Sequence, residues 1–420
     1  VYGVALKLPR FTIGVGDRFA QQAKAQLQAC RLAELGGTLV CPIWNKSDRE
    51  HKIIGSEPSQ TRIEADRAVQ ALAWANPYFC DADHITLSNV DRFITPCDFF
   101  TIDVADKIGQ LASQESLASF ARSHRNHIGK VDVPGTEVFE ISESLFHRTA
   151  DKYLAAVQTA KVIYDKVKNE KGEGQFVTEI SMDETAHPQT PAELLIILAA
   201  VAHHQIPIQT IAPKFSGRFN KGVEYIGDVQ QFGQEVASHV AVIAYAVKHF
   251  GLPSNLKLSV HSGSDKFAIY EPIRQVLKDS AAGLHLKTAG TSWLEELIGL
   301  AECGGMYLAA AKKIYAEAYD QREQLVSPYS SVIDIDLAWL PEPAEVDLWT
   351  SEQYASALRH NRGNVSYNPH FRQLLHVGFK IAAKMGPHYL QLLSDCEKVV
   401  STNVTANLFE RHISPLFLGL

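Results

Sequence analysis

The chain has 420 residues, 46% of them hydrophobic and 21% charged, with a formal net charge of −7. That length supports a large core, in one domain with insertions or in two domains. The acidic balance excludes the basic footprint of a nucleic-acid or anionic-membrane binder. The longest apolar run, LLIILAAVA at 194–202, is too short to span a bilayer and reads as a buried helix. Cys30, Cys41, Cys80, Cys97, Cys303 and Cys396 form neither a CxxC pair nor a disulfide-like spacing, so a reducing cytoplasm is expected. No signal peptide is visible, and the first residue, Val1, leaves room for sequence upstream.

In chain order, short apolar runs with polar ends alternate with segments of helical period. RFTIGVGD (10–17) precedes a helix over 18–35, and TLVCPIWN (38–45) precedes one over 61–75. YFCDAD (78–83) and DFFTIDV (98–104) follow. The stretch from about 107 to 174 is too long for one connection and contains the helical pattern of 144–167, which predicts a helical insertion after strand four. QFVTEIS (175–181), a helix over 190–204, IPIQTIAP (206–213) and a helix over 229–249 come next. LKLSVHS (256–262), a helix over 267–280 and GLHLKTA (283–289) complete the series.

Eight strand–helix alternations predict an α/β fold, a closed TIM-like (β/α)8 barrel. Its first four strands occupy 1–106, the insertion 107–174 and the last four strands 175–290. A helical C-terminal region, 291–420, packs on the barrel. An open doubly wound sheet is the alternative, and it requires that the strands do not close.

Catalytic groups of such barrels stand at the C-terminal strand ends. The runs here close on Asp17, Asn45, Asp83, Asp103, Glu179, Lys214, His261 and Lys287. His84, His261 and His285 arrive at the ends of strands three, seven and eight, where three imidazoles suit one divalent cation with open positions left for substrate. Taken singly, each fits a hydrogen-bonded, half-buried histidine better; three at equivalent strand ends favour the metal. His203 and His204 lie at a helix end, where the dipole alone accounts for them.

Alternation places Asp81 with Asp83 on one face, and Glu179 with Ser181 and Asp183. An inward carboxylate at a barrel mouth suits acid–base work. Asp81, Asp103 and Asp183 fit a structural role at a strand end equally well. Asp83 and Glu179 rank first because they would flank the metal from different strands. The loop PKFSGRFNKG (213–222) brings Lys214, Arg218 and Lys221, while Lys266 and Lys287 follow strands seven and eight. These donors suit a carboxylate or polyhydroxyl substrate, although a solvated loop would read the same. Lys287 carries a second reading, as a Schiff-base former with a ketone.

GDRFA (16–20), DADH (81–84), FFTIDVAD (99–106), EISMDET (179–185), KFSGRFNKGVEYIGD (214–228), HSGSDKF (261–267), LHLKTAGTSWLE (284–295) and RQLLHV (372–377) together resemble the tagaturonate epimerase family. The match runs in order through most of 14–378. The resemblance implies interconversion of the keto-hexuronates tagaturonate and fructuronate with a divalent metal (Zn, Mn, Ni, Fe or Co). It implies Asp83 as proton acceptor, Glu179 as proton donor, and His84, His261 and His285 as metal ligands. Substrate contacts are expected from Arg18, Lys214, Arg218, Lys221, Lys266 and Lys287.

The two sugars differ at a hydroxyl-bearing carbon β to the ketone. Its C–H is not acidified by the carbonyl, so enolisation cannot invert it, whereas retro-aldol cleavage and re-addition can. An aldolase acting on another keto-sugar acid would use the same groups, and a non-catalytic sugar-acid-binding barrel is the third reading. GVGDRF lacks the third glycine of a dinucleotide-binding turn. The expected partner is a small keto-uronate, with no nucleic acid and no membrane; a homo-oligomer is left open.

Overall fold

The computed structural model describes residues 5–288 and 291–419. Its strands are β1 (Phe11–Gly16), β2 (Val40–Ser47), β3 (Phe79–Ile85), β4 (Phe99–Asp103), β5 (Gly129–Val131), β6 (Phe139–Ile141), β7 (Val177–Ser181), β8 (Thr210–Ala212), β9 (Lys257–His261) and β10 (Leu284–Thr288). Eight of them close into a parallel barrel in the order β1-β10-β9-β8-β7-β4-β3-β2, while β5 and β6 pair antiparallel outside it. The predicted barrel is therefore the fold, and the open-sheet alternative falls because β1 pairs with both β2 and β10.

Residues alternate between the two sides of each strand. Ile13, Val15, Val40, Phe100, Ile180, Leu258, Val260 and Leu286 face outward and bury against the surrounding helices in the main core. The inward set is layered. Cys41, Ile43, Phe79, Phe99 and Val177 make an apolar floor with Leu8. Above it the interior turns polar, with Thr12, Asp81, Thr101, Glu179 and His285, and then Lys287 with Asp83 nearer the mouth. Gly14 makes this possible, since a Cβ there would stand 2.9 Å from Asn45 Nδ2 and 3.0 Å from Lys287 Cγ.

The outer layer includes the helices Ala23–Leu35, Pro58–Ala71, Glu143–Lys171, Pro191–His203, Val229–Phe250 and Tyr270–Ser280. Pro191–His203 starts on a capping box between Thr190 and Glu193, with proline in its first turn. The segment 107–174 is more than a helical insertion. It holds the β5–β6 hairpin, and its long helix Glu143–Lys171 is a barrel-layer helix packed beside Pro191–His203.

After β10 the chain leaves the ring. Thr291–Cys303 enters a second hydrophobic core made with the C-terminal helices. The position between Ala23–Leu35 and Tyr270–Ser280 is filled from far along the chain, by Glu397–Ala406 through Ser414–Phe417. Phe417 closes the seam with its ring 5.1 Å from that of Phe11. All six cysteines are free, and five are buried. Among the described residues, no helix is long and apolar enough to cross a membrane.

Candidate active site

Two local features of β3 set the site. Asp81 and Asp83 both face inward, and the pairing of β3 with β4 shifts register between Ala82 and Ile85. His84 sits inside that irregularity with φ 51°, a left-handed conformation that an L-residue adopts only when its surroundings enforce it. The bulge brings His84 to the barrel mouth, its ring centroid 5.3 Å from that of His261 at the end of β9. His84 Nδ1 lies 3.4 Å from Asp103 Oδ2, and His84 Nε2 lies 3.8 Å from Asp83 Oδ1.

His261 stands between two carboxylates, its Nε2 2.9 Å from Glu179 Oε1 and its Nδ1 3.2 Å from Asp183 Oδ2. Ser181 donates a hydrogen bond to the other oxygen of Asp183. One ligand atom each from His84, His261 and Asp183 lie within 4.8 Å of one another. Two imidazoles and a carboxylate suit a first-row divalent cation. The second nitrogen of each imidazole meets a carboxylate, Asp103 or Glu179, an arrangement that orients ligating histidines. The donor set therefore fits such a cation.

His285 does not stand level with the other two imidazoles. In the β9–β10 register Lys287 pairs with His261, and His285 pairs with Ser259 one layer deeper. His285 Nδ1 meets Thr12 Oγ1 at 2.9 Å, and its buried Nε2 has no partner within the described protein. Burial pushes its pKa down to about 3, so it is neutral. Asp183, which the sequence left equally compatible with a structural role, is the third member of the group whose ligand atoms come together.

Lys287 occupies the centre. Its Nζ lies 2.7 Å from Asp81, 2.5 Å from Asp83 and 4.0 Å from Glu179, and it donates to Thr101 at 2.8 Å. Burial alone would lower its pKa, but Asp81, then Asp83 and Glu179, raise it far above the ordinary lysine value. An ammonium so held has no lone pair for a ketone, which counts against the Schiff-base reading.

The acids respond in kind. Burial opposes ionisation of Asp83 and Glu179, yet Lys287 holds Asp83 low and His261 holds Glu179 well below the usual carboxylate range. For Asp81 burial wins, and its pKa rises to about 6. His84 and His261 are likewise opposed by burial. Asp83 first raises His84 to about 10, and Asp183 with Glu179 raises His261 to about 9. In an acid-rich mouth both imidazoles thus hold protons, which a bound cation would displace.

The other expected contacts divide. Arg18 is buried beside the mouth, with Nε 3.0 Å from Glu50 Oε1 and its guanidinium over the Phe379 ring at 4.3 Å. Lys221 lies within electrostatic reach of Arg18 and Glu50. Lys266 is fully buried and donates to Asn220 O and Ser264 Oγ, both at 2.8 Å, so it ties its own loop to the loop after β8. Arg218 pairs with Asp334 at 3.2 Å on a half-exposed surface. Lys214 is half-buried, and its backbone N–H donates to Gln189 Oε1 at 2.7 Å. Sequence reasoning gave no role to Arg49, Tyr329 and Lys380; they lie far apart in the chain and carry no local pattern.

A family model described as tagaturonate epimerase matches residues 3–413. The tagaturonate/fructuronate epimerase of Thermotoga maritima is 27% identical over 350 residues, covering 80% of this chain and 68% of that protein. Three crystal structures of fructuronate-tagaturonate epimerase from Cohnella laeviribosi, one native and two with glycerol, share the fold with TM-scores of 0.79 to 0.81. They are 24% identical, and the matches cover 98% of this chain and 82 to 83% of theirs. The chain belongs to the tagaturonate epimerase family, a family of carbohydrate isomerases.

Proposed function

We propose that the protein interconverts tagaturonate and fructuronate, using a divalent cation held by His84, Asp183 and His261 and proton transfers by Asp83 and Glu179. The observation that carries this reading is one juxtaposition. A two-imidazole, one-carboxylate donor set shares the barrel mouth with an Asp83–Lys287–Glu179 chain of contacts.

The chemistry asks for those groups. The carbon to be inverted is β to the ketone, so its C–H is not acidic, whereas the C–C bond between it and the α-carbon can break by retro-aldol cleavage. What a cation supplies when bound at this mouth is Lewis-acid stabilisation of negative charge on the ketone-bearing fragment. Asp83, kept ionised by Lys287, takes the hydroxyl proton as that bond breaks. The freed aldehyde turns over and the bond re-forms on its other face, where Glu179 returns a proton. Glu179 rests ionised, so the proton must reach it first. Lys287, touching Asp83 and 4.0 Å from Glu179, links the two carboxylates, giving a proton to Glu179 and recovering the one that Asp83 took. His285, neutral and a layer below, stands outside this ligand set.

The test is to incubate the protein, supplied with divalent metal, with fructuronate and to resolve the products by NMR. Tagaturonate is expected. Three-carbon fragments without the epimer would make the protein an aldolase, and unchanged fructuronate would leave it a binding barrel.

A further inference from the structure

Three cations gather on one aromatic ring beside this mouth. The Arg49 guanidinium carbon stands 4.8 Å from the Tyr329 ring centroid, Lys221 Nζ 5.2 Å and Lys380 Nζ 4.9 Å. Any two of them therefore lie within about 10 Å, one screening length at ~0.1 M salt, so they repel one another. A cation gains ~0.5–1 kcal/mol from an exposed ring face and ~2 kcal/mol from a desolvated one such as that of buried Tyr329, while the three cations repel one another. Among the described residues, none of the three has an ion-pair partner within 4.0 Å, unlike neighbouring Arg18, which has Glu50. A fold needs no such concentration of unpaired charge.

The three arrive from separate elements. Arg49 lies on the helix Asp48–Ile54 that follows β2, and Lys221 on the loop after β8. Tyr329 and Lys380 come from the C-terminal region. Lys380 is on the helix Phe379–Met385, which packs against Asp48–Ile54, and the Lys221 N–H donates to Val332 O at 2.8 Å. Tyr329 is buried, which fixes the platform. Glu184, two residues beyond β7's neighbour Met182, lies within electrostatic reach of both His84 and Arg49, which ties the cluster to the catalytic mouth. Burial first, then Arg18 and Arg49, lowers the Lys221 ammonium to about 8. Burial and Arg49 likewise lower Lys380.

We propose that Arg49, Lys221 and Lys380, gathered on Tyr329, form an anion-receiving collar that takes the substrate's carboxylate and selects sugar acids over neutral ketoses. The identity of the anion rests on the epimerase reading; the collar does not. In this arrangement the C-terminal region is part of the binding site, because the barrel alone supplies two of the three cations and not the ring beneath them.

The test uses the full chain with divalent metal and the variants Arg49→Met, Lys380→Met and Lys380→Arg. Where the wild type converts fructuronate, each Met variant should raise KM about tenfold or more with kcat within about twofold, and Lys380→Arg should restore KM. Wild-type KM should also climb more steeply with salt than that of the Met variants. Where the wild type converts nothing, the epimerase reading fails, and the same proteins are titrated calorimetrically with fructuronate and with fructose, its neutral counterpart. Preference for the acid, lost in the Met variants, would then sustain the collar by itself. An unchanged KM, or an unchanged acid-over-neutral ratio, in both folded Met variants would overturn it, whatever the turnover.

Discussion

At the scale of single residues, charge decides what each group at the mouth can do. Lys287 neutralises Asp81 and Asp83 at 2.7 and 2.5 Å, and without it two buried carboxylates would share the barrel interior with no cation between them, at a cost of several kcal/mol. In the proposed mechanism Glu179 acts on substrate and does not hold the cation. Glu179→Gln should therefore cut turnover by ~10²–10⁴-fold while metal content stays unchanged, measured by steady-state kinetics and elemental analysis. Undiminished turnover would remove Glu179 from the mechanism.

The ligand assignment separates two further variants. Asp183→Asn should lower metal occupancy, and His285→Gln should leave it intact; the reverse pattern would return His285 to the coordination shell. The histidines themselves were legible in the sequence because each ends an apolar run. The depth of His285 was not. Residues two apart on a strand share a face, and nothing in GLHLKTA tells which of His285 and Lys287 stands level with His261; the register does.

At the scale of elements, all eight barrel strands were legible, because a strand covered by helices outside reads as a short apolar run with polar residues only where it reaches the mouth. The helix over 144–167 was legible as a helix but not as part of the barrel layer, since its period says which face is apolar and not what covers it. The three-residue strands β5 and β6 are too short to show alternation. The bulge that aims His84 is a matter of register, and DADH carries no glycine to announce it.

Gly14 is the element-scale hinge of the site. Its missing side chain leaves room for Asn45 and Lys287 between adjacent strands. Gly14→Ala should destabilise the protein by ~1–3 kcal/mol through overpacking and depress turnover by displacing Lys287. Denaturant unfolding and kinetics read both effects, and a variant with wild-type values for each would show that Lys287 has slack.

At the scale of the whole molecule, the fold class was legible and the closure of its outer layer was not. Residues 397–417 complete the ring between the first helix and Tyr270–Ser280, a contact across almost the full chain length that no local pattern encodes. The same long return brings Tyr329 and Lys380 to the mouth. The C-terminal region thus seals the barrel and carries the ring and one cation of the proposed collar, and the match to the family model extends through it, to residue 413.

In the proposed mechanism this mouth inverts a carbon by breaking and remaking a C–C bond, with a cation held beside Asp83 and Glu179. Conversion of fructuronate in D2O, with and without added divalent metal after chelation, tests it most directly. Tagaturonate should form only with metal present and should carry no deuterium at the inverted carbon, whose C–H bond the proposed route never breaks. Deuterium at that carbon, or full conversion in the chelated protein, would contradict the account.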